Sequence, residues 1–98
     1  MPVKKRKTAA ETPRINLRLF IAGEAANSRM AIENLKRLTE KLNKYRVDVE
    51  VIDVWMNPQR MADEGIYLTP ALKIIKEEEI RLVYGNLSDD KALAHLFS

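Results

Sequence analysis

The stretch that most constrains this chain runs from Arg46 to Gln59. Val47, Val49 and Val51 alternate with Asp48 and Glu50, the pattern of a strand with one buried face. The alternation ends at Ile52, and Val54 and Trp55 add apolar bulk, as in a strand passing into an interior covered on both sides. Asn57-Pro58 then halts the strand. Asn favours the residue before a helix, and Pro suits the first helical position because it has no N–H to leave unpaired. A strand that hands over directly to a helix is read as the centre of an α/β domain, with the other elements arranged around it.

Ninety-eight residues suit one domain with an adequate core, and 46% apolar content is enough to fill it. No run approaches the ~20 apolar residues of a membrane span, and no signal peptide is visible. The chain has no cysteine, which excludes disulfides, thiolate metal sites and thiol catalysis together and fits a reducing cytoplasm. A single histidine, His95, argues against a histidine-rich metal site. The formal charge of +3 is unevenly placed. Residues 1–14 hold Lys4, Lys5, Arg6, Lys7 and Arg14 against Glu11, a net +4, so the remainder carries −1. Nucleic-acid binders usually carry the basic surface on the fold itself, so nucleic acid is not the expected partner.

Residues 1–14 read as a disordered basic arm, and residues 15–98 as the folded domain. Ile15, Leu17, Leu19 and Ile21 alternate with polar residues, and Phe20 and Ala22 fill the second face, giving a first strand that Gly23 ends. Asn27 or Ser28 is expected to cap a helix with the stripe Ala31, Leu35, Leu38 and Leu42. Glu33 with Arg37, and Glu40 with Lys44, are spaced to pair on its outer face. The strand at Arg46 follows, with parallel pairing. A short second helix starts at Pro58, ends near Glu64 and stops at Gly65. Ser88 is expected to cap a last helix with Ala92, Leu93, Leu96 and Phe97 on its apolar side.

Between these lies a segment with two readings. Leu72, Ile75 and Leu82 fall near a helical period, and Lys76-Glu77-Glu78-Glu79 is good helix composition. Leu72 and Ile74, then Ile80, Leu82 and Tyr84, fit a hairpin instead, although no Gly, Asn or Asp marks its turn. The hairpin gives the order β-α-β-α-β-β-α.

That order, with Pro70 entering the third strand, resembles the thioredoxin-like layout without its reactive cysteines. Leu19-Phe20-Ile21-Ala22-Gly23, Asn27-Ser28, Val51-Ile52-Asp53-Val54 with Asn57-Pro58-Gln59, Thr69-Pro70-Ala71-Leu72 and Gly85-Asn86-Leu87-Ser88 occur in that sequence from Ile15 to Leu96. Together they are similar to the KaiB family of circadian clock proteins and to KaiB-like domains of clock-output histidine kinases. The resemblance implies a thioredoxin-like form that binds the KaiC ATPase ring, and a self-associated resting form ordered β-α-β-β-α-α-β. The two-way segment lies in the half that the family rearranges. With Asn86 where the family often has Asp, the basic arm, and an end at Ser98 in place of an acidic tail, a divergent paralogue is the expectation.

The resemblance assigns the partner surface to the second helix, with Asn57, Gln59, Arg60, Asp63 and Glu64. Trp55 and Met56, between strand and helix where the family more commonly has an aliphatic and a polar residue, join it because Trp is enriched at binding hot spots. A lone Trp is more often a core residue; the alternative, taken as the hypothesis, is that Trp55 stands at least partly exposed and anchors a partner. Pro70, Gly85, Asn86 and Ser88 are the expected fold-determining positions, with Pro70 cis in the thioredoxin-like form. Asp53 has no second carboxylate, histidine or phosphate loop beside it in sequence, so no acid–base pair is assembled and no cofactor or metal is expected. The expected function is therefore a noncatalytic interaction module for a KaiC-type ATPase or a histidine kinase, possible as a homo-oligomer in the resting form and without membrane contact. The alternatives are a stand-alone equivalent of the kinase sensor domain, and an acidic or nucleic-acid partner held by the basic arm.

Overall fold

A computed structural model describes residues 12–97. The elements are β1 (Arg14–Ile21), α1 (Ala26–Glu40), β2 (Arg46–Asp53), α2 (Pro58–Asp63), β3 (Ala71–Lys76), β4 (Glu79–Tyr84) and α3 (Asp90–His95). They form one four-stranded sheet in the order β2-β1-β3-β4. β1 is parallel to β2 and antiparallel to β3, and β3 is antiparallel to β4. The architecture is the α/β thioredoxin-like layout that the order of elements predicted.

The central strand is β1, which corrects the expectation that the Arg46 strand is the middle of the domain. β2 lies at the edge, and Val49 and Val51 remain 47% and 45% exposed. Their alternation does mark a face: Val47, Val49 and Val51 stand beside Ile15, Leu17 and Leu19. β1 and β3 have neighbours on both sides, and the fully enclosed strand residues Ile15, Leu17, Leu19, Phe20, Ala71 and Leu72 lie on them.

The main core lies on that face. Ile15, Leu17, Leu19 and Ile21 meet Ala31, Leu35, Leu38 and Leu42 from the helical stripe, with Leu72, Ile74, Leu93 and Phe97. Burying each such Leu, Ile or Phe side chain contributes ~1.5–3 kcal/mol relative to exposure. Tyr45 closes one end, its hydroxyl donating to the Phe97 carbonyl at 2.9 Å. The opposite face carries a smaller core of Phe20, Ile52, Ile66 and Ala71, against which Val54 and Met61 pack.

Several local expectations change. The residue preceding α1 is Ala25, and Ser28 is buried inside the first turn, where its hydroxyl accepts the Ala22 N–H at 3.0 Å. That end-on contact to β1 replaces the expected cap. On the outer face of α1, Glu33 reaches Lys36 at 3.9 Å and Arg37 donates to Asn34 in place of the expected Glu33–Arg37 pair, and the helix closes at Glu40, before Lys44. The last helix begins at Asp90, and the first helical carbonyl is that of Asp89, not Ser88. Arg14 belongs to β1, where it pairs with Arg46 across the sheet.

The two-way segment is a hairpin. β3 and β4 are joined by Glu77-Glu78 alone, and Glu77 takes φ +57° to make the turn. An L-residue there carries a steric cost of roughly 1–2 kcal/mol. The pairing of β3 along β1 from Ile15↔Lys76 to Phe20↔Ala71 overrides the helical composition of the turn. The Thr69–Pro70 peptide bond is cis.

Candidate docking surface

β2 and α2 are joined by a turn fixed largely by Asp53. Its backbone carbonyl accepts N–H bonds from Met56 and Asn57, both at 3.0 Å, and the Asn57 side-chain amide at 3.2 Å. Its carboxylate oxygen Oδ1 accepts the Trp55 N–H at 3.0 Å and the Gly23 N–H at 3.1 Å. The Asn57 side chain is thus turned back to Asp53 and makes no cap bond to α2, contrary to expectation. The turn lifts two apolar side chains into solvent: Trp55 is 74% exposed and Met56 77%.

α2 continues this surface. Pro58 opens it, and it closes with Gly65 at φ +73°, the Gly65 N–H bonding to Ala62 and the Ile66 N–H to Met61. These paired bonds, with buried Ile66 folding back toward Met61, form a Schellman ending. Gln59 and Asp63 face outward and bond to each other at 2.9 Å. Met56, Asn57, Gln59, Arg60, Asp63 and Glu64 line one shallow depression together with Pro58.

Two of the nominated residues turn toward the sheet, Glu64 largely buried and Arg60 along its surface. Glu64 has a side chain only 13% exposed and accepts from Arg18 at 2.8 Å, Arg60 at 3.0 Å and Lys73 at 3.2 Å. Arg60 also forks onto Glu50 at 2.6 and 2.8 Å. These five side chains pin α2 to β1, β2 and β3. Desolvation alone raises the Glu64 pKa, but the hydrogen bonds from Arg18, Lys73 and Arg60 outweigh it and hold the carboxyl below its ordinary range. The Arg60 hydrogen bond lowers Glu50 in the same direction, and Glu50 and Glu64 together raise Arg60. Arg18 and Lys73 were not foreseen, because their partners lie 46 and 9 residues away in sequence. The exposed pair Tyr67 and Leu68, in the loop before Pro70, was missed for want of any periodic pattern.

The nominated fold-determining residues meet at the far corner. The Pro70 carbonyl accepts the Gly85 N–H at 2.9 Å, and Gly85 has φ +110°. Asn86 Oδ1 takes the Ser88 N–H at 3.1 Å, while the Asn86 carbonyl accepts from Asn34 of α1 at 2.8 Å. Leu87, between them, is buried at φ +65°. His95 is exposed on α3. Lys4, Lys5, Arg6 and Lys7 lie outside the described residues. No helix among those described is long and apolar enough to cross a membrane.

Comparison with known proteins places this geometry. The N-terminal domain of Synechococcus elongatus SasA has the same fold, with a TM-score of 0.72 over 98% of this chain and 89% of its own, at 18% identity. A Halobacterium salinarum thioredoxin superposes with a TM-score of 0.69 and 26% identity over 84% of this chain and 70% of its own. In sequence, the circadian clock oscillator protein KaiB of Rippkaea orientalis is 38% identical over 73 residues, 74% of this chain and 70% of that one. The circadian clock protein KaiB3 of a Synechocystis species is 36% identical over 76 residues, 78% and 74% of the two chains. These relatives carry the names of clock proteins and not of catalysts. Residues 18–98, nearly the whole described fold, match the KaiB domain, and the chain belongs to the KaiB family.

Proposed function

We propose that this chain is a noncatalytic docking module of a circadian system, which presents Trp55, Met56, Asn57, Gln59 and Asp63 to a KaiC-type ATPase ring. The observation that carries the reading is the pair Trp55 and Met56, two large apolar side chains standing almost fully in solvent on a hydrogen-bonded turn. Exposed aromatic anchors beside polar helix residues are what a protein interface uses for affinity and orientation. Arg60 and Glu64 serve by holding α2 in place and not by touching the partner. The clock-protein names of the relatives support the same role. Titration of a KaiC-type ATPase with the wild-type chain and with Trp55→Ala tests it. A loss of about tenfold or more in affinity is expected, with the circular dichroism spectrum unchanged; equal affinities would sink the reading.

The same module is proposed to switch folds, with the resting order β-α-β-β-α-α-β as its second state. Glu77 and Leu87 support this: both are non-glycine residues at positive φ, and both lie in the half that would rearrange. Relief of such strain helps a second packing come within a few kcal/mol of the first. Binding would then be weakened by the fraction of molecules outside the docking-competent state. Backbone chemical shifts over residues 69–98 at two temperatures decide the point. Two slowly exchanging sets are expected, and a single strand-strand-helix set would reject switching.

A further inference from the structure

We infer that Asp53 is the positioning residue of the docking surface, acting through a carboxylate that ties Trp55 to the loop after β1. One oxygen, Oδ1, takes the N–H groups of Trp55 and Gly23 together, so the end of β2 and the start of the β1–α1 loop share an acceptor. The backbone carbonyl of the same residue takes Met56 and Asn57. Every residue from Trp55 to Asn57 is therefore bonded to Asp53.

Gly23 completes the arrangement from the other side. It sits at φ +55°, and a methyl group in place of its hydrogen would lie 3.1 Å from Trp55 Cδ1 and 3.4 Å from Nε1. The indole edge thus rests against the one residue in the loop with no side chain, while most of the ring faces solvent. A large exposed side chain without such support samples several rotamers and loses that freedom on binding. One that is already held loses less. The carboxylate at a strand end, which invites an acid–base reading from sequence, acts here as a two-sided acceptor. Its effect on affinity rests on the docking reading above; its effect on Trp55 itself does not.

Trp55 is the only tryptophan in the chain, so its fluorescence reports on this site alone. The full chain is compared with Asp53→Ala, Asp53→Asn and Gly23→Ala by time-resolved anisotropy and acrylamide quenching. In Asp53→Ala, with its far-ultraviolet circular dichroism unchanged, nanosecond motion of the indole is expected to increase. Affinity for the KaiC-type ATPase is expected to fall about two- to tenfold. Asp53→Asn keeps an acceptor oxygen and should stay near wild type in both. Gly23→Ala should alter quenching with Asp53 intact, because the methyl displaces the ring. Should Asp53→Ala fail to fold, Asp53→Ser, whose oxygen sits one bond closer to the backbone and so stays near the Trp55 N–H of its own turn while falling short of Gly23, carries the same expectation at smaller amplitude. Unchanged anisotropy in a folded Asp53→Ala or Asp53→Ser variant overturns the inference. A freed indole alongside Trp55→Ala binding at wild-type strength would support the positioning role while rejecting the docking reading.

Discussion

Glu64 Oε1 lies 2.8 Å from Arg18 Nη1, which joins the residue after α2 to the middle of the central strand. The second oxygen is held by Arg60 at 3.0 Å, and Lys73 shares the first at 3.2 Å. A helix of six residues is too short to be stable alone, so this carboxylate and the small core around Ile66 are what dock it. Glu64→Ala leaves Arg18 and Lys73 without their shared acceptor on a partly buried face. A loss of about 2 kcal/mol is expected in denaturant unfolding, the scale for hydrogen bonds to charged groups.

The same carboxylate sets the acid limb of stability. Its folded-state pKa is depressed below the ordinary 4.5, so the unfolded chain takes up the proton first as pH falls. Stability from this group is fully present above that ordinary value and is lost below it, through the depressed folded value. Glu50, lowered by Arg60, acts in the same direction, but it is exposed and contributes less. Thermal unfolding of the wild type between pH 6 and pH 3 should show a falling midpoint, and Glu64→Gln should flatten that fall. Parallel curves would remove Glu64 from the account.

Glu77 forms half of a two-residue hairpin loop at φ +57°. Glycine takes that backbone angle without the steric cost, at some expense in chain entropy. Glu77→Gly should raise stability by about 0.5–1 kcal/mol. If the chain switches folds, it should also move the population toward the hairpin form, read from the relative intensities of the two sets of amide signals.

Ser28 is the buried polar side chain that joins α1 to the end of β1, its hydroxyl 3.0 Å from the Ala22 nitrogen. Ser28→Ala removes the acceptor and leaves the amide facing a methyl group. The expected loss is about 1–2 kcal/mol, with faster hydrogen exchange at Ala22. Unchanged exchange at that amide would show that another group takes the bond.

The sequence by itself determined which residues share a face and where α2 stops. Ile15, Leu17, Leu19 and Ile21 alternate as a strand must, the stripe from Ala31 to Leu42 repeats as a helix must, and Gly65 ends α2 where left-handed backbone is needed. Those are short-range consequences of backbone geometry, so a linear pattern carries them. What only the tertiary structure decided is which neighbours each face meets. Val49 and Val51 alternate as well as Leu17 and Leu19 do, yet they stay half-exposed because β2 pairs on one side only. Arg60 and Glu64 look like a solvated helix face until Arg18 and Lys73 arrive from other strands. The turn at Glu77-Glu78 has no turn residue because pairing along β1 and β4, and not local preference, holds β3 in place. Burial and charge pairing depend on groups brought together from distant parts of the chain, and periodicity records only the direction in which each side chain points.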